Sequence, residues 1–234
     1  VLLIATILKN AGHQVHIYND VQQEVDPQRM EEEVILISSI TPSVKRAYEI
    51  AQMFSERKVI MGGVHVSALP EEALEYADQV VVGECDHVIS DLVDGRIKER
   101  VVYCRGITDL DELPFPDYTL LRKKPEIIPM QTSRGCNYKC NYCTLASMYG
   151  KYRARSPESI IAELLSFSEK QGRVNKIDFR IDADFTFIRK RALNIFRQME
   201  ASGIRPGAIA ANSRLHVYRD RELLKEMSGK NITL

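Results

Sequence analysis

Short runs of β-branched and long aliphatic residues alternate along this chain with amphipathic stretches. That alternation restricts the fold more than any other feature. Val34–Ser38 is almost entirely apolar, as a parallel strand covered on both faces must be. Val59–Met61, ending in Gly62-Gly63, and Gln79–Val82, ending in Gly83, repeat the pattern. Val15–Tyr18 and Val101–Tyr103 are shorter strand candidates. Between them, Leu2–Lys9 reads as a helix closed by Gly12. A segment from Pro42 to Glu56, Pro70–Tyr76 and residues 86–93 also read as helices. Strands separated by helices imply an α/β unit over residues 1–104, a doubly wound, Rossmann-like parallel sheet.

Residues 105–126 break the pattern. They hold Asp109, Asp111, Glu112, Pro114, Pro116 and Pro125. Proline fixes φ and removes a backbone donor, so this stretch is expected to be a linker. Alternation resumes at Ile127–Gln131, an expected strand leading into a cysteine-rich loop. Ser156 is placed to cap a helix with Pro157 in its first turn, running to Lys170 with Ile160, Ile161, Leu164, Leu165 and Phe167 on its apolar face. Lys176–Ile181 and Ala208–Ala211 follow as strands, and Arg189–Ser202 and Asp220–Met227 as helices. Residues 127–234 therefore read as about three βα units of a partial (β/α) barrel.

Composition adds exclusions. The 234 residues carry 32 basic and 32 acidic side chains, so no net charge favours nucleic acid or an anionic membrane. Arg189-Lys190-Arg191 is expected to be a solvated helix face. No apolar stretch approaches the roughly 18 residues of a membrane span, and the N-terminus has no secretory pattern. Neither a membrane nor a nucleic-acid partner is expected. The chain opens at Val1 inside an apolar run and stops at Asn231–Leu234, which resembles the start of a strand, so it is expected to be a fragment. Five cysteines without a disulfide-like framework suggest metal or redox chemistry in a reducing cytoplasm.

Three of those cysteines, Cys136, Cys140 and Cys143, lie within eight residues. Each iron that a protein holds in a cubane cluster takes one thiolate. Three thiolates leave one iron open to a small molecule, and that iron is the expected site of chemistry. Structural zinc is the alternative, but it favours four ligands in two pairs. Here the spacing is three then two, and His216, Cys85 and Cys104 are distant and unpaired. Buried core cysteines are a further alternative, disfavoured by the interleaved Asn137, Lys139 and Asn141.

The segment Thr132–Cys143 resembles the radical SAM signature, C-x3-C-x-aromatic-C. Residues 152–158, the stretch LDELPFPD at 110–117, and Gly62-Gly63-Val64-His65 extend the resemblance to radical SAM enzymes with an N-terminal cobalamin-binding domain, including methyltransferases and anaerobic ring cyclases. The resemblance implies a [4Fe-4S] cluster on the three cysteines, S-adenosylmethionine (SAM) and cobalamin as cofactors, and reductive cleavage of SAM to a 5′-deoxyadenosyl radical. It also implies a small-molecule substrate and an electron donor such as flavodoxin or ferredoxin. The first strand of the cobalamin domain would precede Val1, and the rest of the barrel would follow Leu234.

Further residues take roles from the same resemblance. Tyr142 would lie against the adenine of SAM; packing within its own loop is compatible with that. Ser38, Ser39 and Thr41, Gly62 and Gly63, and Gly83 and Glu84 end strands of the first unit, where such sheets bind ligands. They are expected to contact cobalamin, whereas the residues alone equally allow ordinary tight turns. The D-x-H-x-x-G motif for an axial histidine is absent, and His65 is expected to be a surface or edge group. Cys85 stands where relatives tend to have glycine. Asp182, with Asp184 nearby, ends a barrel strand and is expected either to contact SAM or substrate or to cap the helix from residue 189. Asn212 and Arg214 are candidate SAM contacts or surface polar residues. Two other functions stay open: radical methylthiolation, and cobalamin or metal binding without catalysis.

Overall fold

A computed structural model gives the fold and describes residues 1–20, 25–228 and 230–233. The side chains of residues 146, 147 and 216 lie outside that description, so the expectation that His216 stands apart from the three cysteines falls outside it too. The chain divides into two compact units, Val1–Ile107 and Thr108–Leu234.

In the first unit, helix α1 (Leu2–Asn10) leads to strand β1 (Val34–Ser38), and helix α2 (Val44–Met53) to β2 (Lys58–Gly62). Helices α3 (Val64–Ala68) and α4 (Pro70–Ala73) precede β3 (Gln79–Gly83), and α5 (Ile89–Val93) precedes β4 (Val101–Cys104). All pairings are parallel, in the order β1-β2-β3-β4. Strand alternation sends Val59 and Met61 to a core with Ala47, Ala51 and Val66, while Ile60 joins Leu8, Ile89 and Leu92 on the other face. Helices thus cover both faces, as expected for an α/β sheet. Among the described strands of this unit the order does not reverse. Val15–Tyr18 forms no strand; His16 and Tyr18 instead bind Glu32 through side chains.

The second unit begins earlier than the linker expectation allowed. Residues 108–126 pack within it. Leu110 and Tyr118 are buried, Asp111 accepts from the amide of Ser156 at 3.0 Å, and Arg155 lies over the Phe115 ring. The prolines prevent regular structure here without preventing packing.

Strand β5 (Ile127–Pro129) is followed by β6 (Ser133–Arg134), helix α6 (Leu145–Tyr149) and β7 (Arg153–Ala154). Then come α7 (Pro157–Gln171), β8 (Lys176–Phe179), α8 (Arg189–Ala201), β9 (Ala208–Ala211), α9 (Arg221–Ser228) and β10 (Ile232–Thr233). β5, β8, β9 and β10 form a parallel sheet in sequential order, the arrangement of a barrel wall. β6 and β7 form a separate antiparallel pair. The expected strand 127–131 is shorter, spanning Ile127–Pro129. Ser156 caps α7 as expected, accepting from the Ser159 amide at 3.0 Å. Ile128, Ile160, Leu164, Ile177, Phe179, Phe185, Ala192 and Phe196 fill the core. Each large side chain there contributes about 1.5–3 kcal/mol. Leu165 is 39% exposed, and Glu163 is buried in its place.

Glu163 is tolerated because Arg155 and Tyr118 reach it. Burial pushes its carboxyl above the ordinary value, opposed by the Arg155 charge. Replacing Glu163 with Ala strands Arg155, and chemical denaturation should show a loss of about 3–5 kcal/mol. A loss below about 1 kcal/mol would show that the pair does not hold the 110–118 segment.

Candidate functional site

The cysteine loop leaves the sheet at a point gripped from two sides. Beyond β5, the Met130 amide still donates to Asp178 O at 2.9 Å. The amides of Thr132 and Ser133 then both donate to Asp182 Oδ1, at 2.8 and 2.9 Å, and the Thr132 hydroxyl donates to Oδ2. Asp182 follows β8 and is 1% exposed. From α8, Arg191 donates through Nη2 to Thr132 O at 2.7 Å and through Nε to Arg155 O at 2.8 Å. Burial pushes the Asp182 carboxyl above its ordinary value; the donors from Thr132 and Ser133 and the charge of Arg191 oppose that push. Burial likewise lowers the Arg191 guanidinium, against the Tyr152 and Asp182 charges.

The loop itself closes through Gly135, whose φ is +77°. A Cβ there would run into Lys151 O and sit 2.7 Å from Gly150 O. Only glycine fits, and the Cys136 amide can then donate to Gly150 O at 3.3 Å. Asn137 Oδ1 accepts from the Tyr152 amide at 3.1 Å, and the Cys143 amide donates to Cys140 O at 3.1 Å. Tyr138 packs edge-on against Phe187, with ring centroids 5.5 Å apart, and the Arg214 guanidinium lies 3.8 Å from the centre of the Tyr138 ring.

All five cysteines are free thiols. Cys136 and Cys140 are half-buried and Cys143 is exposed, so none of the three serves as core filling. Among the described residues, no three His, Cys, Asp or Glu side chains are gathered into a metal-holding group. What fits a cluster here is the donor set: three unconsumed soft thiols on one anchored loop. Cys85 and Cys104 differ. They pack against the apolar cluster of α1 and α5, and burial pushes the Cys85 thiol up to about 12.

Several expected roles change. Asp182 caps no helix, because the residue preceding α8 is Ile188, without a side-chain cap. Its carboxylate faces the Thr132–Ser133 backbone instead of an open site. Asp184 is buried and folds back onto Thr186, accepting from its amide and hydroxyl at 3.0 and 2.8 Å. Asn212 donates to Arg180 O and Asp182 O, tying the loops after β8 and β9 together. Arg214 engages Tyr138. Tyr142 is 91% exposed and does not pack within its loop. Arg191, expected on a solvated face, is buried beside Ala192 and Ile195. Its position one residue before Ala192, at helical spacing from Ile195, was the available signal.

In the first unit, the strand ends present Ser38 and Thr41 to solvent, while Ser39 and Glu84 are buried. Ser39 Oγ has no partner among the described residues, which fits a ligand bearing hydrogen-bonding groups at the end of β1. The glycines answer to the chain itself. A Cβ on Gly63 would lie 2.6 Å from Ser39 O, and one on Gly83 2.5 Å from Cys104 O; Gly62 meets only ordinary contacts. His65 is buried, not a surface group. Its Nδ1 lies 3.1 Å from Thr41 Oγ1 and its Nε2 3.4 Å from Glu72 Oε1, which also accepts from Tyr48 OH at 3.0 Å.

Comparison with known proteins places the sequence in a family. The family model described as B12 binding domain matches residues 1–93, and that of the radical SAM superfamily matches residues 130–230. This chain belongs to the radical SAM superfamily, with an N-terminal B12-binding domain. It is 31% identical over 182 residues to the bacteriochlorophyllide d C-8(2)-methyltransferase of Chlorobaculum tepidum, covering 69% of this chain and 40% of that protein. It is 26% identical over 268 residues to the anaerobic magnesium-protoporphyrin IX monomethyl ester cyclase of Cereibacter sphaeroides, covering 93% of this chain and 43% of that protein. The chain thus spans less than half the length of these curated relatives. In fold it is similar to the radical SAM methyltransferase TsrM from Kitasatospora setae, solved with cobalamin and a [4Fe-4S] cluster, at a TM-score of 0.71 and 14% identity, covering 99% of this chain and 56% of that one.

For this radical SAM chain, Gly135→Ala tests the loop geometry. The strained φ and the clash with Lys151 O should cost about 1–3 kcal/mol in denaturant unfolding. Wild-type stability in that variant would show that the Gly135–Gly150 approach is not needed.

Proposed function

We propose that this chain is part of a radical SAM enzyme that performs methyl transfer or ring-forming carbon–carbon chemistry on a small-molecule substrate. Cys136, Cys140 and Cys143 would hold a [4Fe-4S] cluster, and the first unit would hold cobalamin at Ser38, Ser39 and Thr41. The observation that carries this reading is the set of three free thiols, two half-buried and one exposed, on one loop anchored at the end of a parallel sheet. When bound, the cluster supplies an electron to cleave the sulfonium of SAM, and cobalamin supplies a carrier for the transferred group.

The chain's own residues position and shield. Asp182 and Arg191 fix the start of the cysteine loop. Tyr142 offers an uncommitted ring face beside Cys143 for an adenine base. Arg214, stacked on Tyr138, links the loop after β9 to the cysteine loop. Asn212 commits its Nδ2 to two backbone carbonyls and is not assigned to SAM. An electron donor of flavodoxin or ferredoxin type would supply the reducing equivalents, and free thiols accord with a reducing cytoplasm. No helix among the described residues is long and apolar enough to cross a membrane.

Each of Cys136→Ala, Cys140→Ala and Cys143→Ala, made in the full-length protein and reconstituted anaerobically, should abolish formation of 5′-deoxyadenosine from SAM. Chromatography of the reaction reads this directly. Full activity in any one variant contradicts the assignment of that thiol.

A further inference from the structure

We propose that Asp182 is a positioning residue whose carboxylate sets the direction in which Cys136 leaves the sheet, acting through the Thr132–Ser133 peptide. The proposal rests on the cluster reading of the cysteine loop. Burial makes the case. Asp182 is 1% exposed and Thr132 0% exposed, so neither SAM nor substrate reaches that carboxylate in this arrangement. Its oxygens are also committed, Oδ1 to two amides and Oδ2 to a hydroxyl.

The loop needs such an anchor. The β6–β7 ladder is only two residues long on each strand, Ser133–Arg134 against Arg153–Ala154. So short a ladder does little to fix the orientation of the chain that follows. Asp182 accepts from the amide of Ser133 and Arg191 donates to the carbonyl of Thr132, so the Thr132–Ser133 peptide is fixed on both edges. Cys136 lies three residues beyond Ser133, with Gly135 wedged against Gly150 and Lys151 between them. The negative carboxylate and positive guanidinium offset one another, so the clamp adds little net charge beneath the cluster loop. Partners that orient a metal ligand typically govern metal affinity by about 10–100-fold.

The test uses the whole chain, reconstituted anaerobically beside wild type. Asp182→Ala removes both acceptor oxygens and with them all three hydrogen bonds. Asp182→Asn keeps Oδ1 for both amides. Thr132→Val removes only the hydroxyl contact. The readouts are the rate of iron loss to a chelator, the electron paramagnetic resonance of the reduced cluster, and amide exchange over residues 132–136 in iron-free chain. Asp182→Ala should lose iron about 10-fold faster, with Asp182→Asn within about twofold of wild type. Its spectrum should broaden, and exchange at Thr132 and Ser133 should rise and be restored by Asp182→Asn. Wild-type iron retention and unchanged exchange in Asp182→Ala overturn the proposal. If circular dichroism shows that Asp182→Ala does not fold, Thr132→Val decides. Faster iron loss from a native fold supports the proposal, and wild-type retention overturns it. If wild type takes up no cluster, the cluster reading fails separately. Amide exchange in the iron-free variants then still decides the positioning role, increased exchange supporting it and wild-type exchange overturning it.

Discussion

A carboxylate buried between a strand end and a loop start is expensive unless its lone pairs are filled. Asp182 fills them with two backbone amides and a hydroxyl, all from Thr132 and Ser133. That contact ties the second βα unit of the sheet to the peptide entering the cysteine loop. Arg191 completes it from α8, the helix of the same unit. The aromatic contacts of Tyr138, the turn at Gly135 and the exposure of Tyr142 all lie downstream of this fixed point. A loop that must present three thiols to one cluster cannot tolerate an indefinite entry angle.

The same economy governs the first unit. Its glycines look, in sequence, like places where a ligand approaches the backbone. The structure fills the space beside Gly63 and Gly83 with the chain's own carbonyls. What remains for a ligand at β1 is hydroxyl chemistry: Ser38 and Thr41 at the surface and, below, Ser39 Oγ, which has no partner among the described residues. His65 is occupied on both ring nitrogens by Thr41 and Glu72, so its role is to brace the strand end.

Periodicity made the architecture legible. Short runs of β-branched and aliphatic residues bounded by turns have a composition that amphipathic helices do not share, and Val34–Ser38, Gln79–Gly83 and Ala208–Ala211 fell where expected. The cap at Ser156 was legible too, since a hydroxyl before proline at a helix start has a local cause. The cysteine loop could be read because a ligand set is local in sequence. Asp182 could be located but its partner could not, because hydrogen bonds across 50 residues leave no spacing signal. Arg191 was hidden inside a basic triplet, and Val15–Tyr18 is held by side-chain contacts of His16 and Tyr18 to Glu32, which leave no strand pattern. The proline-rich stretch misled because lost regularity resembles lost packing, although Tyr118 and Leu110 are buried.

The central claim is that the three thiols hold an iron–sulfur cluster with one iron open to SAM. Electron paramagnetic resonance of the dithionite-reduced, reconstituted chain, recorded with and without SAM, tests it most directly. A [4Fe-4S] signal that shifts when SAM is added is the expected result. A chain that binds only zinc, or a cluster signal indifferent to SAM, would contradict it.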